Sequence, residues 1–415
     1  MTLPSPASLE RRLGPLDASA IVISNTIGVG IFTTPGVVAA MLPDKAAMLS
    51  VWAFGGALAF AGALAYAELA AWRPQAGGEY VYLRESFGPL AAFLTGWTSF
   101  VAGFSGAIAA GAVAVAVYAD RFVPGAGDPT VIAAWHLGPF GIVVSPRAIV
   151  AISTIAALAL VQARGVRPGR LLQNSLTTLT VTALTLFVIA GLLVARSAGP
   201  PGPSVPLARP NAWLLALVPV MFSYTGWNAA VYVAEEIRNP TRNVPLALAL
   251  GTASVVTLYL SLNTLYLRVV PHAELVGAIG VGELVASRLF GSAAAARVHP
   301  HYRTPAAAIL AQTLWSALLV LSGTFEQLLT YTGFSVILFS ALAVLSLFFV
   351  RFRGKDTDTF RAWGYPWAPA VFCLVSFAIV VNTIANAPGP ALAGLGVMAA
   401  GVPIYWGARM WSRIR

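Results

Sequence analysis

Apolar runs of about 20 residues recur from one end of this 415-residue chain to the other, and that is the length a helix needs to cross the hydrocarbon core of a bilayer. The chain is 58% hydrophobic and only 10% charged, too little polar surface to cover a water-soluble globule of this size. An all-α integral membrane protein is therefore expected, one transmembrane domain over residues 1–415 with no soluble domain. A membrane barrel would instead show alternating segments of roughly ten residues, and none dominates. The formal net charge of +10 sits in short loops between the apolar runs, so it reports orientation and no nucleic-acid partner is expected. Placing the N-terminus in the cytoplasm puts eighteen of the 25 Lys and Arg inside, which predicts a multi-pass protein of the cell (inner) membrane. Arg11 and Arg12 precede the first run without a cleavage signal behind it, so that helix is expected to be retained.

Between charge and turn clusters, spans are expected at 16–40, 46–70, 89–119, 147–163 and 171–194. After a Pro-rich link at 199–210 they continue at 211–234, 246–268, 305–322, 325–350, 367–387 and 389–410, giving eleven clear spans. The charge count works only if the chain crosses once more between Leu267 and Arg297. The one candidate, 275–296, carries Glu283 and Arg288, each costing about 2.5–3.5 kcal/mol at the bilayer centre. It either crosses as a degenerate helix with those charges facing the protein interior, or lies as an amphipathic helix on the outer surface.

Two spans look broken. In the first, Asn25 to Pro35 stacks polar, glycine and β-branched residues, and Gly28 and Gly30 each cost about 1 kcal/mol of helix propensity relative to Ala. In the sixth, Pro219 lies one turn ahead of Ser223, Tyr224, Thr225, Gly226 and Asn228. Irregular backbone survives at this depth only where it lines a cavity, and matching interruptions in two halves of a transporter mark its substrate site. Free N–H groups at one half-helix start attract an anion, and free carbonyls at the other's end attract a cation. Together they match the two ends of a zwitterionic α-amino acid. Two structural uses stay open beside this: a lone G-x-G is more often a close-packing surface between helices, and Phe222 and Trp227 could be packing aromatics.

The segments IGVGIFTTPG, AELAAWRPQAGGEYVYLRESFGP and FSYTGWNAAVYVAEEIRNPTRNVPLAL resemble the amino acid, polyamine and organocation superfamily, and within it the L-type amino acid transporter group. The resemblance implies a leucine-transporter-like fold of five plus five helices in inverted repeats with two more, working by alternating access. On this chain 16–194 would be the first repeat, 211–350 an incomplete second, and 367–410 the extra pair. It implies a substrate carboxylate at Gly28, Val29 and Gly30 with Thr26 and Ile27 beside it, and an ammonium at carbonyls of Phe222, Ser223 and Thr225. Phe222 would be an aromatic gate, with Trp227 and Asn228 continuing the motif. The implied activity is movement of neutral amino acids by sodium-independent exchange or proton coupling, with no enzymatic step, metal or cofactor.

Two departures stand out. Thr180, in QNSLTTLT, occupies a position where sodium-independent relatives often carry Lys, and the eighth span is missing or degenerate. They motivate an alternative, a transport-inactive membrane protein that binds amino acids. Glu68, Glu79, Glu235 and Glu236 are expected in gate or loop ion pairs with Arg73, Arg84, Arg238 and Arg242, in preference to a proton relay. Trp363 to Trp367 reads as an interfacial anchor. Animal members of the group bind a single-span glycoprotein through a cysteine in an outer loop, but Cys373 is the only cysteine here and falls inside a span, so no disulfide-linked subunit is expected.

Overall fold

An apolar segment in lipid has to satisfy its own backbone, and these runs do so as helices. The computed structural model describes residues 11–120, 122–137, 140–162, 167–195, 212–278, 280–290, 316, 317, 319–321, 325–354, 360–386 and 388–414. The chain opens with α1 (Pro15–Thr26) and α2 (Gly30–Met41), bent by 42° to each other. The Asp44 carboxylate accepts the Ala47 amide at 2.8 Å and so caps α3 (Lys45–Trp72). A short α4 (Glu79–Phe87) leads into α5 (Pro89–Ala119), which widens into a π-helical stretch at Ser99–Phe104. A hairpin, β1 (Ala133–Leu137) antiparallel to β2 (Phe140–Val144), precedes α6 (Pro146–Gln162) and α7 (Arg167–Val194).

The second half begins with α8 (Ala212–Tyr224), a 3-10 segment at Ala229–Glu236 and α9 (Pro240–Val269). Two short pieces follow, α10 (His272–Leu275) and α11 (Val281–Phe290), and then α12 (Phe325–Phe352), α13 (Trp367–Asn386) and α14 (Pro388–Ile414). Among the described residues eight helices are long and apolar enough to cross a membrane, nine with the bent pair counted as one span. The expected span at 147–163 is α6, described as far as Gln162. The link at 199–210 and most of the expected span at 305–322 lie outside the described residues.

Helices approach closely through small residues, as expected where lipid supplies no hydrophobic drive between them. A methyl group on Gly251 of α9 would come within 2.7 Å of Val22 on α1, and one on Gly55 of α3 within 2.6 Å of Val220 on α8. The aromatic core lies between these helices: Trp52 meets Tyr224 and Tyr259 at ring-centroid distances of 5.8 Å each.

A continuous helix over 275–296 is not formed, since the chain turns at Val276 and Gly277 and α11 begins only at Val281. Gly277 donates its amide to Gly36 O at 3.1 Å, which pins the turn onto α2. Arg288 is paired with Glu274, and Glu283 lies in the first turn of α11; residues 291–296 fall outside the described chain. The flanking helices add a constraint. Lys45 Nζ donates to Leu267 O at 2.5 Å, so α9 ends beside the start of α3. Arg351 pairs with Glu68, so α12 ends beside the end of α3 and starts on the opposite face, where α9 ends.

Candidate functional site

Helix α1 closes on the bond from Ile27 N to Ile23 O at 2.8 Å, after which Ile27 turns to an extended ψ of 93°. Helix α2 restarts at Gly30, and the amides of Val29 and Gly30 find no acceptor among the described residues. These are the free donors at a half-helix start that an anion needs. The two glycines differ in role. Nothing lies within 4 Å of where a side chain on Gly28 would begin, whereas one on Gly30 would meet Ser223 Oγ at 2.7 Å and its Cα at 2.9 Å. Gly28 faces open space and Gly30 is a helix contact.

The break in the sixth span is built to touch the first. Gly226 adopts φ 113°, and a Cβ there would sit 2.5 Å from the Asn25 carbonyl, so only glycine lets the two backbones meet. Tyr259 of α9 is fully buried, and its hydroxyl is shared between Thr26 O at 2.7 Å and Ser223 O at 3.1 Å. The carbonyl ends of α1 and α8, each carrying partial negative charge, thus converge on one neutral donor. Sequence reasoning missed Tyr259. Its signal was available as the row Tyr259, Asn263 and Tyr266, spaced to share one face of the helix.

The polar side chains expected at the site are largely occupied. Thr26 Oγ1 donates to Val22 O at 2.8 Å, Thr225 Oγ1 to Met221 O at 3.1 Å, and Ser223 Oγ reaches Pro219 O at 3.0 Å and Thr34 Oγ1 at 2.8 Å. Ile27 is half-buried. Phe222 is buried against Ala110 of α5. Trp227 is buried between Tyr66 and Phe372, with ring centroids at 4.8 and 6.0 Å. Asn228 turns away from the first break and donates Nδ2 to Glu79 Oε1 at 2.8 Å and to the Tyr232 hydroxyl at 3.1 Å. What remains open is backbone, at the amides of Val29 and Gly30.

The ion pairs differ from those expected by sequence proximity. Glu68 takes two bonds of 2.7 Å from Arg351, 283 residues away, and the Ala362 amide at 2.6 Å, while the Arg351 guanidinium lies 3.6 Å over the Tyr365 ring. Arg73 and Arg84 each stand 3.9 Å from Glu85. The contacts recorded at Glu236 and Arg238 are through the backbone: Leu13 N–H donates to Glu236 O at 2.9 Å, and Arg238 N–H to Leu13 O at 2.9 Å. Glu79 is buried in the connector between spans and accepts from Tyr66 Oη at 2.7 Å, Asn228 at 2.8 Å and Tyr232 Oη at 3.3 Å. Burial pushes its carboxyl above the ordinary range, and the three hydrogen bonds only partly oppose this. No cluster of three or more His, Cys, Asp or Glu suited to a metal occurs among the described residues.

A sequence model described as amino acid permease matches residues 13–299. The b(0,+)-type amino acid transporter 1 of Mus musculus is 27% identical over 425 aligned positions, covering 92% of this chain and 84% of the relative. The cystine/glutamate transporter of Homo sapiens is 25% identical over 453 positions, covering 98% and 86%. The serine/threonine exchanger SteT of Bacillus subtilis (strain 168) is 25% identical over 451 positions, covering 97% of each chain. These alignments are longer than the chain itself. Since 98% of 415 residues fill about 407 of 453 positions, about 46 hold a residue in the cystine/glutamate transporter and none here.

Proposed function

The chain belongs to the amino acid permease family, and from that membership we propose that it is a secondary transporter moving amino acids across the cell membrane by alternating access, without converting them. The observation that carries the substrate class is the junction of the two breaks: free amides at Val29 and Gly30 on one side, and the carbonyl ends of α1 and α8 on the other. A carboxylate at Gly28, Val29 and Gly30, flanked by Thr26 and Ile27, and an ammonium at the Phe222, Ser223 and Thr225 carbonyls would place one zwitterion across that junction. Phe222 O already accepts from the Thr225 amide, and Ser223 O from Tyr259, but each carbonyl oxygen has a second lone pair to offer. Phe222, with Trp227 and Asn228 behind it, would close the site. Small uncharged surroundings favour a neutral amino acid, moved by sodium-independent exchange or proton coupling.

The same reading places 16–194 and 211–350 as inverted repeats followed by 367–410, with the N-terminus in the cytoplasm and the eighth span reduced. The surplus of about 46 aligned positions in a relative is consistent with loss of one helix and its loop. Cys373 lies in α13, which supports the absence of a disulfide-linked subunit. The shortened second half also favours a second reading, amino-acid binding without transport. Uptake of labelled amino acids into liposomes holding the pure protein tests the first, and signal no higher than in empty liposomes for all twenty would refute it. Calorimetric binding without uptake would establish the second.

A further inference from the structure

We propose that Glu79 is a proton-binding latch, joining the connector helix α4 to the broken sixth span through Tyr66, Asn228 and Tyr232. The inference deepens the transporter reading, since it supplies a route for proton coupling, and it rests on that reading only for its consequence in transport.

The geometry is that of a carboxyl held by neutral donors. Oε1 accepts from Tyr66 of α3 and from Asn228, two residues past the positive-φ Gly226, while Oε2 accepts from Tyr232 in the 3-10 segment. The charged groups on the elements packed around it are engaged elsewhere or unconnected to it. On α3, Glu68 is bound to Arg351 of α12, and Arg73, just past the helix, stands near Glu85; on α4 itself Arg84 stands near Glu85. Tyr82 of α4 is a buried neutral phenol, α5 offers no ionisable side chain over Pro89–Thr98, and Glu235 and Glu236 follow Tyr232 without bonding to Glu79 among the described contacts. Ser340 of α12 is a further neutral group beside the Tyr66 hydroxyl. No cation faces Glu79 among the described residues, and a buried carboxylate without one is costly.

The network also accommodates the added proton. When Oε2 carries it, the group becomes a donor, and Tyr232, whose hydroxyl already accepts from Asn228, can turn from donor to acceptor. Asn228 and Tyr66 keep their bonds to Oε1. The sign of the linkage follows. A carboxyl harder to ionise in the buried cage than in water favours the caged arrangement below its ordinary pKa, and that preference is lost as pH rises through the raised value. Low pH therefore holds α4 against the sixth-span break, and higher pH releases it.

Glu79→Gln is the matching variant, because the amide keeps one acceptor for Tyr66 and Asn228 and offers a donor to Tyr232, fixing the protonated pattern. Infrared titration of the purified full chain should show a protonated-carboxyl C=O band persisting above the ordinary Glu value of about 4.3, absent from Glu79→Gln. Tyr66→Phe, which removes a donor to the ionised form, should move its midpoint to higher pH. Deuterium uptake over residues 226–236 should match Glu79→Gln below the midpoint and exceed it at least twofold above, a comparison at each pH in which intrinsic exchange cancels. In liposomes, exchange should rise severalfold through the midpoint in the parent chain and stay flat in Glu79→Gln. Absence of the band, or equal deuterium uptake at every pH, would overturn the latch. Absence of transport from both proteins would instead count against the transporter reading, with the infrared and deuterium results still deciding the proton site.

Discussion

Gly28 and Gly30 are two residues apart in one G-x-G, yet the space around them assigns opposite roles. Gly30→Ala drives a methyl group into the Ser223 backbone and should cost about 1–3 kcal/mol, as overpacking does. Gly28→Ala should leave the melting temperature in detergent unchanged, since the new atom meets nothing within 4 Å. The steric test of the site therefore belongs at Gly28: Gly28→Leu should reduce amino-acid affinity at least tenfold by calorimetry while unfolding at the parent temperature. Unaltered affinity would remove the first break from the site. Tyr259→Phe makes a separate prediction. It strips the donor from two buried carbonyls, and at about 1–3 kcal/mol for an unsatisfied group it should lower the melting temperature clearly. The glycines and the polar cluster were legible from composition within each span, and so was the polar row that holds Tyr259, but not its partners, which are 233 and 36 residues away.

At the scale of elements, the breaks lie where propensity is weakest, and α1 stops two residues before Gly28 for that reason. The interval after α9 was ambiguous because Glu283 and Arg288 weaken a span without forbidding it, and the turn pinned on Gly36 separates α10 from the helix that carries both charges. The pairing of Arg351 with Glu68 sets the end of α12 on the face where α3 ends. Arg353 Nη1 likewise donates to Glu85 O at 3.2 Å. Cysteines replacing Glu85 and Arg353 in a Cys373→Ser background should therefore be joined by a short bis-maleimide in intact membranes. If the spans after residue 304 were inverted relative to their charges, the two thiols would lie on opposite faces and no cross-link would form.

For the whole molecule, the convergence of two helix carbonyl ends on a hydroxyl bears on ion coupling. Tyr259 takes one lone pair of Thr26 O and of Ser223 O, and the proposed ammonium takes the other at Ser223, which leaves no cluster of carbonyls for sodium, so uptake into liposomes should be the same in potassium as in sodium media. A collapse of uptake on sodium removal would refute that. On gels, the protein from native membranes should migrate identically with and without reductant, since its one thiol lies within α13.

Hydrophobic length, charge placement and helix propensity are properties of short stretches, and they were enough to set the solvent, most of the spans and the two breaks, while the family came from the resemblance of three segments. Partner choice is not local. That Gly30 faces Ser223 while Gly28 faces space, that Glu68 meets Arg351 and that Asn228 is drawn to Glu79 were decided only by packing. A buried polar group takes whichever partner the fold brings within hydrogen-bonding reach, because leaving it unpaired in a low-dielectric interior costs more than any preference written along the chain.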